Sequence, residues 1–134
     1  MLFRSRGRYS QAGVRLERAY AEAGRLADLD PENQKIAKQK IVIGLFLVRA
    51  RLGQSQTDGT EKYLADCRGL LARSDEELRD FCALTRARYA RAVGVTDSSA
   101  EAYLADNRMR LGSTKRSPRW GIDFSEEAKI ETGR

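Results

Sequence analysis

The chain has no histidine and contains little cysteine or proline. Its 134 residues include two cysteines and two prolines. The absence of histidine excludes Ser-His-Asp and Cys-His catalysis and removes a common zinc ligand and general base. Cys67 and Cys82 are too few for a four-cysteine zinc site, and their spacing matches no redox motif. We therefore expect no enzyme activity, metal or cofactor, and we predict that both cysteines are buried, reduced thiols.

Long apolar runs are also missing from the sequence. The longest covers residues 41–48 and is interrupted by Gly44, whereas a membrane-spanning helix needs about 20 apolar residues. Its apolar residues cover nearly all faces of a helix, which predicts the centre of a core. A secretory leader is not expected, because Leu2 and Phe3 are followed at once by Arg4. We therefore expect a cytoplasmic protein that makes no contact with a membrane.

Acidic residues are absent from the first sixteen positions, which carry four arginines. We interpret residues 1–9 as a basic N-terminal arm, with the start of a mitochondrial presequence as the alternative. The whole chain has a net charge of +6 and a pI near 9.6, and 19 of its 25 basic residues are arginine. Arginine binds phosphate in a planar fork, so this excess indicates a polyanionic partner such as nucleic acid. GC-rich coding is the alternative reason for the arginine content.

Apolar residues recur every three or four positions through most of the chain, which is typical of amphipathic α-helices. No pair of alternating strands is visible, so the sequence predicts an all-α fold with about five helices. The predicted helices cover residues 10–29, 31–52, 60–72, 74–93 and 98–111. The pattern ends at Gly112, and we predict that residues 113–134 form an extended tail of basic and apolar residues.

Two stretches of the chain repeat each other at an offset of 40 residues. Residues 63–68 read Tyr-Leu-Ala-Asp-Cys-Arg, and residues 103–108 read Tyr-Leu-Ala-Asp-Asn-Arg. A unit of about 40 residues is the period of stacked helical hairpins. We therefore predict one helical domain over residues 10–112. It would contain two related hairpins, at about 45–72 and 82–112, with the N-terminal helix as a cap.

The second hairpin resembles the DNA-binding helix-turn-helix motif over residues 84–103. Ala90 provides the small residue where two helices cross, and Gly94 provides the turn. The flanking apolar positions are Tyr89, Val93, Val95, Ala100 and Tyr103. The resemblance implies that a recognition helix begins near Asp97 and enters a groove of DNA. The first hairpin departs from the pattern, because an arginine and a glutamine occupy the positions of the small and the apolar residue.

These observations give the leading hypothesis of a non-enzymatic protein that binds nucleic acid through arginine–phosphate contacts. Such a chain would be a helix-turn-helix-like DNA-binding protein or a small helical subunit of a nucleoprotein complex. The recognition helix would present Ser98 and Ser99 to base edges. The predicted phosphate contacts are the basic residues of the hairpin and of the segment after it, namely Arg86, Arg88, Arg91, Arg108, Arg110, Lys115, Arg116 and Arg119.

The alternative hypothesis is a helical-hairpin adaptor or inhibitor that binds another protein or a second copy of the chain. Its docking segment would be the tail, where Trp120, Ile122 and Phe124 form an apolar island, because aromatic side chains anchor interfaces. The position of the arginines distinguishes the two hypotheses. Arginines that converge on one face favour nucleic acid, whereas arginines neutralised by neighbouring carboxylates favour a protein partner.

Overall fold

The computed structural model describes residues 2–67, 76–113 and 119–132, with side chains placed from residue 11 to residue 131 of these ranges. The described chain is all-α, as predicted, but it has seven helices instead of about five. They are α1 (Leu2–Leu29), α2 (Gln34–Gly53), α3 (Glu61–Ala65), α4 (Glu76–Val93), α5 (Ser98–Asp106), α6 (Arg108–Ser113) and α7 (Phe124–Thr132). None of these helices is both long and apolar enough to cross a membrane.

The two additional helices have local causes. The predicted helix over 98–111 divides at Asn107, whose backbone is not helical and whose side-chain amide donates to the carbonyl of Tyr103 at 2.8 Å. The predicted extended tail is wrong for residues 124–132, which form α7. The carboxylate of Asp123 accepts a hydrogen bond from the Glu126 N–H at 3.0 Å and so caps the start of this helix.

The chain divides into two compact units, residues 1–69 (unit 1) and residues 70–134 (unit 2). In unit 1, α1 packs along α2, and the short α3 packs on α2. The apolar run at residues 41–48 supplies the core, since Ile41, Leu45, Leu47 and Val48 are buried. The prediction that this run lies at the centre of a core is therefore confirmed for these four side chains.

Residues of all three helices of unit 1 meet at Gly44. A Cβ atom at this position would lie 3.2 Å from Cε2 of Tyr20 and 3.4 Å from the carbonyl oxygen of Tyr63. The two tyrosine rings meet edge to face, with centroids 4.9 Å apart. The Tyr20 hydroxyl donates to Asp66 at 2.6 Å. Glycine therefore permits a contact in which one ring is fixed on both sides.

In unit 2, α4 packs against α5 and α7, and α6 packs against α7. Leu78, Phe81, Leu104, Leu111 and Phe124 are buried between these helices. The ring of Phe81 lies 4.9 Å from that of Trp120 and 6.4 Å from that of Phe124, measured between centroids. Residues from the predicted tail thus help to form the core of this unit.

The predicted hairpin repeat is found only in part. Each described stretch has a helix, a turn and a second helix, residues 68–72 of the first hairpin lie outside the described residues, and the matching residues have different roles. Tyr63 packs its ring in the core of unit 1, whereas the Tyr103 hydroxyl donates to Asp80 at 2.6 Å. Asp66 accepts a hydrogen bond from Tyr20, whereas Asp106 is exposed. The second helix of the hairpin has five residues in unit 1 and nine in unit 2. The repeated sequence at residues 63–68 and 103–108 therefore does not form two equivalent structures.

Both cysteines are buried, as predicted. Cys67 and Cys82 have almost no exposed surface. Neither is a free thiol, so the prediction of reduced cysteines is wrong. Burial alone was readable from the apolar neighbours, because it follows from helical spacing, whereas oxidation state does not.

Candidate nucleic-acid interface

The hairpin that resembles a helix-turn-helix is formed by α4, a turn and α5. Gly94 has φ +77°, a left-handed conformation that favours glycine, and the Val95 N–H donates to the carbonyl of Ala90 at 2.9 Å. Asp97 caps α5 by accepting a hydrogen bond from the Ala100 N–H at 3.0 Å. The predicted turn and helix start are therefore in place, and Ser98 and Ser99 are exposed in the first turn of α5.

Arg86, one of the predicted phosphate contacts, is used inside this hairpin. Its Nε and Nη2 atoms each donate to a carboxylate oxygen of Asp97 at 2.9 Å, and the side chain is only 14% exposed. A bidentate pair of this kind fixes α4 to the start of α5. The guanidinium of Arg86 is therefore occupied and is not presented to a phosphate.

Arg110 is part of a second internal network. Its two terminal nitrogens donate to Asp80 at 2.7 Å each, and Asp80 has almost no exposed surface. The Tyr103 hydroxyl donates to the same carboxylate, and Glu76 lies 3.2 Å from Arg110. Burial, together with the hydrogen bond to Asp80, holds the pKa of Tyr103 above its ordinary value. The hydrogen bond to Asp80 likewise raises the pKa of Arg110, which remains charged and paired.

The other predicted contacts of unit 2 are divided between paired and exposed side chains. Arg91 lies 3.1 Å from Glu131, whose side chain is only 5% exposed, and Arg119 stacks on Trp120 at 4.5 Å. Arg88 and Arg108 are exposed and form no ion pair with any described residue. Lys115 and Arg116 lie outside the described residues. The structure thus leaves two of the predicted arginines available on this unit.

The outward face of α5 is acidic. Its exposed residues are Ser98, Ser99, Glu101, Ala102, Ala105 and Asp106. A cleft of about 530 Å³ opens beside the turn, and its charged lining residues are Arg91, Asp97, Glu101 and Glu131. Carboxylates outnumber guanidinium groups at both places. This face is therefore poorly suited to the phosphates that flank a DNA groove.

The three apolar residues predicted to dock a partner lie in or beside the core of unit 2. Phe124 has no exposed surface, and Trp120 packs between Phe81 and the guanidinium of Arg119. Ile122 is half-buried. Much of their apolar surface is buried within unit 2, so little of it is exposed for contact with a partner.

The positive charge of the chain is unevenly divided between the two units. Unit 1 contains 13 basic and 8 acidic residues, a net charge of +5, whereas unit 2 contains 12 basic and 11 acidic residues, a net charge of +1. The residues predicted to bind nucleic acid all belong to the nearly neutral unit. The excess charge that suggested a polyanionic partner lies almost entirely in the other one.

Within unit 1, α1 contains six basic and three acidic residues, and α2 contains five basic residues and no acidic one. Arg15 and Arg18 are exposed, and neither makes an ion pair or a hydrogen bond with the described part of the chain. Glu17, the first acidic residue of the sequence, is paired with Arg51 of α2 at 2.6 Å. Sequence reasoning missed Arg15 and Arg18 as a site, although the signal was present. Positions 4, 8, 15 and 18 of α1 are spaced so that they follow one stripe of a helix.

No protein-family profile matches the chain, and comparison with curated proteins and with solved structures found no match. Within the ranges that the structure describes, no three side chains of metal-binding type come together. The function is therefore inferred from the charges and contacts described above.

Proposed function

We propose that the protein is a non-enzymatic nucleic-acid-binding protein of the cytoplasm and that it holds phosphates with the exposed arginines of α1. The observation that carries this proposal is the position of the unpaired charge. Unit 1 has a net charge of +5, and Arg15 and Arg18 are exposed on its longest helix without a carboxylate partner among the described residues. This assignment moves the phosphate contacts from the α4–α5 hairpin to α1.

The ion pair between Glu17 and Arg51 supports the assignment of the phosphate contacts to α1. Arg51 donates to the Glu17 carboxylate, and it also donates to the carbonyl of Asp58 at 3.3 Å. An unpaired carboxylate between Arg15 and Arg18 would reduce the attraction of this face for phosphate. Because Arg51 neutralises the Glu17 carboxylate, this carboxylate repels a phosphate near Arg15 and Arg18 less strongly.

The proposal is tested by titrating fluorescently labelled oligonucleotides with the full chain at several salt concentrations. Each neutralised duplex phosphate contributes about −0.9 to the slope of log K against log salt. The variant Arg15→Gln/Arg18→Gln removes two such contacts and is therefore expected to flatten the slope by about 1.8. With equal binding of the variant and the wild type at 1 M salt, the variant binds about 60-fold more weakly than the wild type at 0.1 M salt.

The matched control is Arg88→Gln/Arg108→Gln, which removes two exposed arginines of unit 2 that form no ion pair with a described residue. It changes the net charge by the same amount and is expected to leave the slope nearly unchanged. Equal losses from both pairs would contradict the assignment to α1. A wild-type titration that does not respond to salt would contradict nucleic-acid binding itself.

The alternative of an adaptor that binds another protein stays a hypothesis, and the burial of its predicted docking segment gives it less support. It placed its docking contacts on Trp120, Ile122 and Phe124, and the structure uses these side chains in and around the core of unit 2. A buried phenylalanine has no surface with which to anchor a partner.

A further inference from the structure

We propose that the cleft of unit 2 beside the α4–α5 turn binds a small organic cation, namely an alkylammonium with a short apolar chain. The cleft has a volume of about 530 Å³, which lies within the range of about 300–1,000 Å³ that is typical of small-molecule sites. It is formed by the last turns of α4, the turn itself, α5 and the end of α7. All of its lining residues belong to the described part of unit 2.

The apolar lining of the cleft consists mostly of small side chains. Ala87 and Ala90 of α4 and Leu104 of α5 line it and are almost fully buried. Ala105 lines it from the exposed side of α5, and Val95 of the turn is 60% exposed. Because an alanine carries only a methyl group, α4 leaves space here that a larger side chain would fill. An alkyl chain that enters this space covers apolar surface, including that of Val95, which is favourable in water.

The charges that line the cleft select a cation. Arg91 is paired with Glu131 at 3.1 Å, and Arg86 donates two hydrogen bonds to Asp97. These two pairs balance, so the remaining charge of the lining is that of Glu101. Its side chain is exposed and forms no ion pair with any described residue. A carboxylate beside an apolar wall attracts an ammonium group more strongly than one surrounded by water.

The same lining does not suit a metal ion or an anion. Calcium takes about six to eight oxygen ligands, whereas no three metal-binding side chains come together in the ranges that the structure describes. An alkyl carboxylate would be repelled by Glu101, and it would find Arg91 already paired with Glu131. An alkylammonium needs only one carboxylate and an apolar surface, and the cleft provides both.

The experiment titrates the isotope-labelled full chain with hexylammonium at neutral pH and follows the backbone amide resonances by NMR. Hexanoate offers a similar chain with the opposite charge, and methylammonium offers the charge without the chain. We expect hexylammonium to bind with a Kd on the order of 1 mM, as befits a ligand of seven heavy atoms. The shifted amides should cluster around Val95, Glu101 and Ala105. Each of the other two ligands should bind at least about fivefold more weakly.

Two variants test the residues that carry the proposal. Glu101→Gln removes the carboxylate at nearly constant size and is expected to weaken hexylammonium binding about three- to fivefold. Ala105→Leu fills the cleft from an exposed position and is expected to weaken binding by at least about fivefold. The matched control is Asp106→Asn, because Asp106 is an exposed carboxylate of α5 that does not line the cleft. This control should bind hexylammonium as tightly as the wild type.

The outcomes are decisive without any variant, since the three ligands are compared on the wild-type chain. Equal binding of hexanoate and hexylammonium would overturn the choice of a cation, as would equal losses from Glu101→Gln and Asp106→Asn. If none of the three ligands shifts the amides around the cleft in a saturable way, the site itself is refuted. Arg15→Gln/Arg18→Gln alters only unit 1 and should bind hexylammonium like the wild type, so this test is independent of nucleic-acid binding. Circular dichroism of each variant is expected to match that of the wild type.

Discussion

At the scale of single residues, Gly44 is where a small change has the clearest expected effect. A methyl group there would lie 3.2 Å from the Tyr20 ring, closer than a relaxed carbon–carbon contact. The ring cannot easily move, because it packs against Tyr63 and its hydroxyl is bound by Asp66. Overpacking of this kind costs about 1–3 kcal/mol, against a gain of about 1 kcal/mol from replacing glycine by alanine in a helix.

We therefore expect Gly44→Ala to lower the thermal midpoint of the protein, with a net loss of about 1 kcal/mol. The matched control is Gly13→Ala, because a Cβ atom at Gly13 in α1 meets nothing within 4 Å. That substitution is expected to raise stability by about 0.5–1 kcal/mol. Thermal unfolding followed by circular dichroism measures both. A rise in midpoint for Gly44→Ala would show that the Tyr20 ring gives way freely.

Two tyrosine hydroxyls give the protein a pH-dependent stability. Burial and a hydrogen bond to a carboxylate raise the pKa of Tyr20, through Asp66, and that of Tyr103, through Asp80. In the unfolded chain both return to the ordinary value of about 10. A folded-state pKa above the unfolded value stabilises the fold fully below about pH 10, and this contribution is lost as the pH rises towards the folded pKa.

The free energy of unfolding should therefore fall from about pH 10 upward, and it should fall less steeply in Tyr20→Phe/Tyr103→Phe. The variant will be less stable than the wild type at neutral pH, because it lacks two hydrogen bonds. Urea unfolding at about pH 8, 9, 10 and 11 separates the two effects, since only the pH dependence reports the hydroxyl protons. Parallel curves for the two proteins would be evidence against raised pKa values.

At the scale of secondary structure, the sequence predicted where helices occur better than where they end. The second helix was predicted to begin at residue 31. It begins at Gln34, because the side chain of Asn33 accepts a hydrogen bond from the Ile36 N–H at 3.2 Å. Apolar periodicity shows that a helix is present, but it does not show which polar residue caps the start of the helix.

The last helix shows a different limit of prediction. Asp123, followed by Glu126 and Glu127, is a recognisable helix start, and the structure uses it for α7. The signal was hidden because the apolar residues around it were interpreted as a docking segment of an extended tail. Apolar side chains near a chain end support a core or a partner equally well in sequence. Only the packing of Phe124 against Phe81 distinguishes the two uses.

The candidate site was predicted least well, and the reason is also physical. Arg86, Arg91 and Arg110 were predicted to bind phosphates because they belong to the basic residues of the hairpin that resembles a helix-turn-helix. Their carboxylate partners come from other elements of unit 2, the pair Arg110 and Asp80 being separated by 30 residues. Pairing over such distances depends on how helices pack. Arg15 and Arg18 have no such partner among the described residues, and their stripe could have been recognised from spacing alone.

At the scale of the whole molecule, a net charge of +6 conceals two units of different character. Unit 1 carries most of the excess, whereas in unit 2 the basic and acidic residues nearly balance and several are joined in ion pairs. If nucleic-acid affinity followed from the net charge of the whole chain, it would not matter which unit carries the excess charge. Affinity that follows from α1 would depend strongly on where the charges lie. At physiological salt, the electrostatic attraction of an exposed charge is largely screened beyond about 8 Å.

A variant that conserves the net charge distinguishes these two cases. Arg15→Gln and Arg18→Gln remove two positive charges from α1, and Glu101→Gln and Asp106→Asn remove two negative charges from exposed positions of α5. The fourfold variant keeps the net charge at +6, yet we expect it to bind duplex about as weakly as Arg15→Gln/Arg18→Gln. With equal binding at 1 M salt, that is roughly 60-fold below wild type at 0.1 M salt. The α5 substitutions alone, which raise the net charge by two, should change the salt slope little. If the fourfold variant instead recovered wild-type affinity and slope, the affinity would follow the net charge of the chain. Removing two carboxylates from α5 would then have compensated for the loss of two guanidinium groups from α1, and the position of the charges on the protein would not matter.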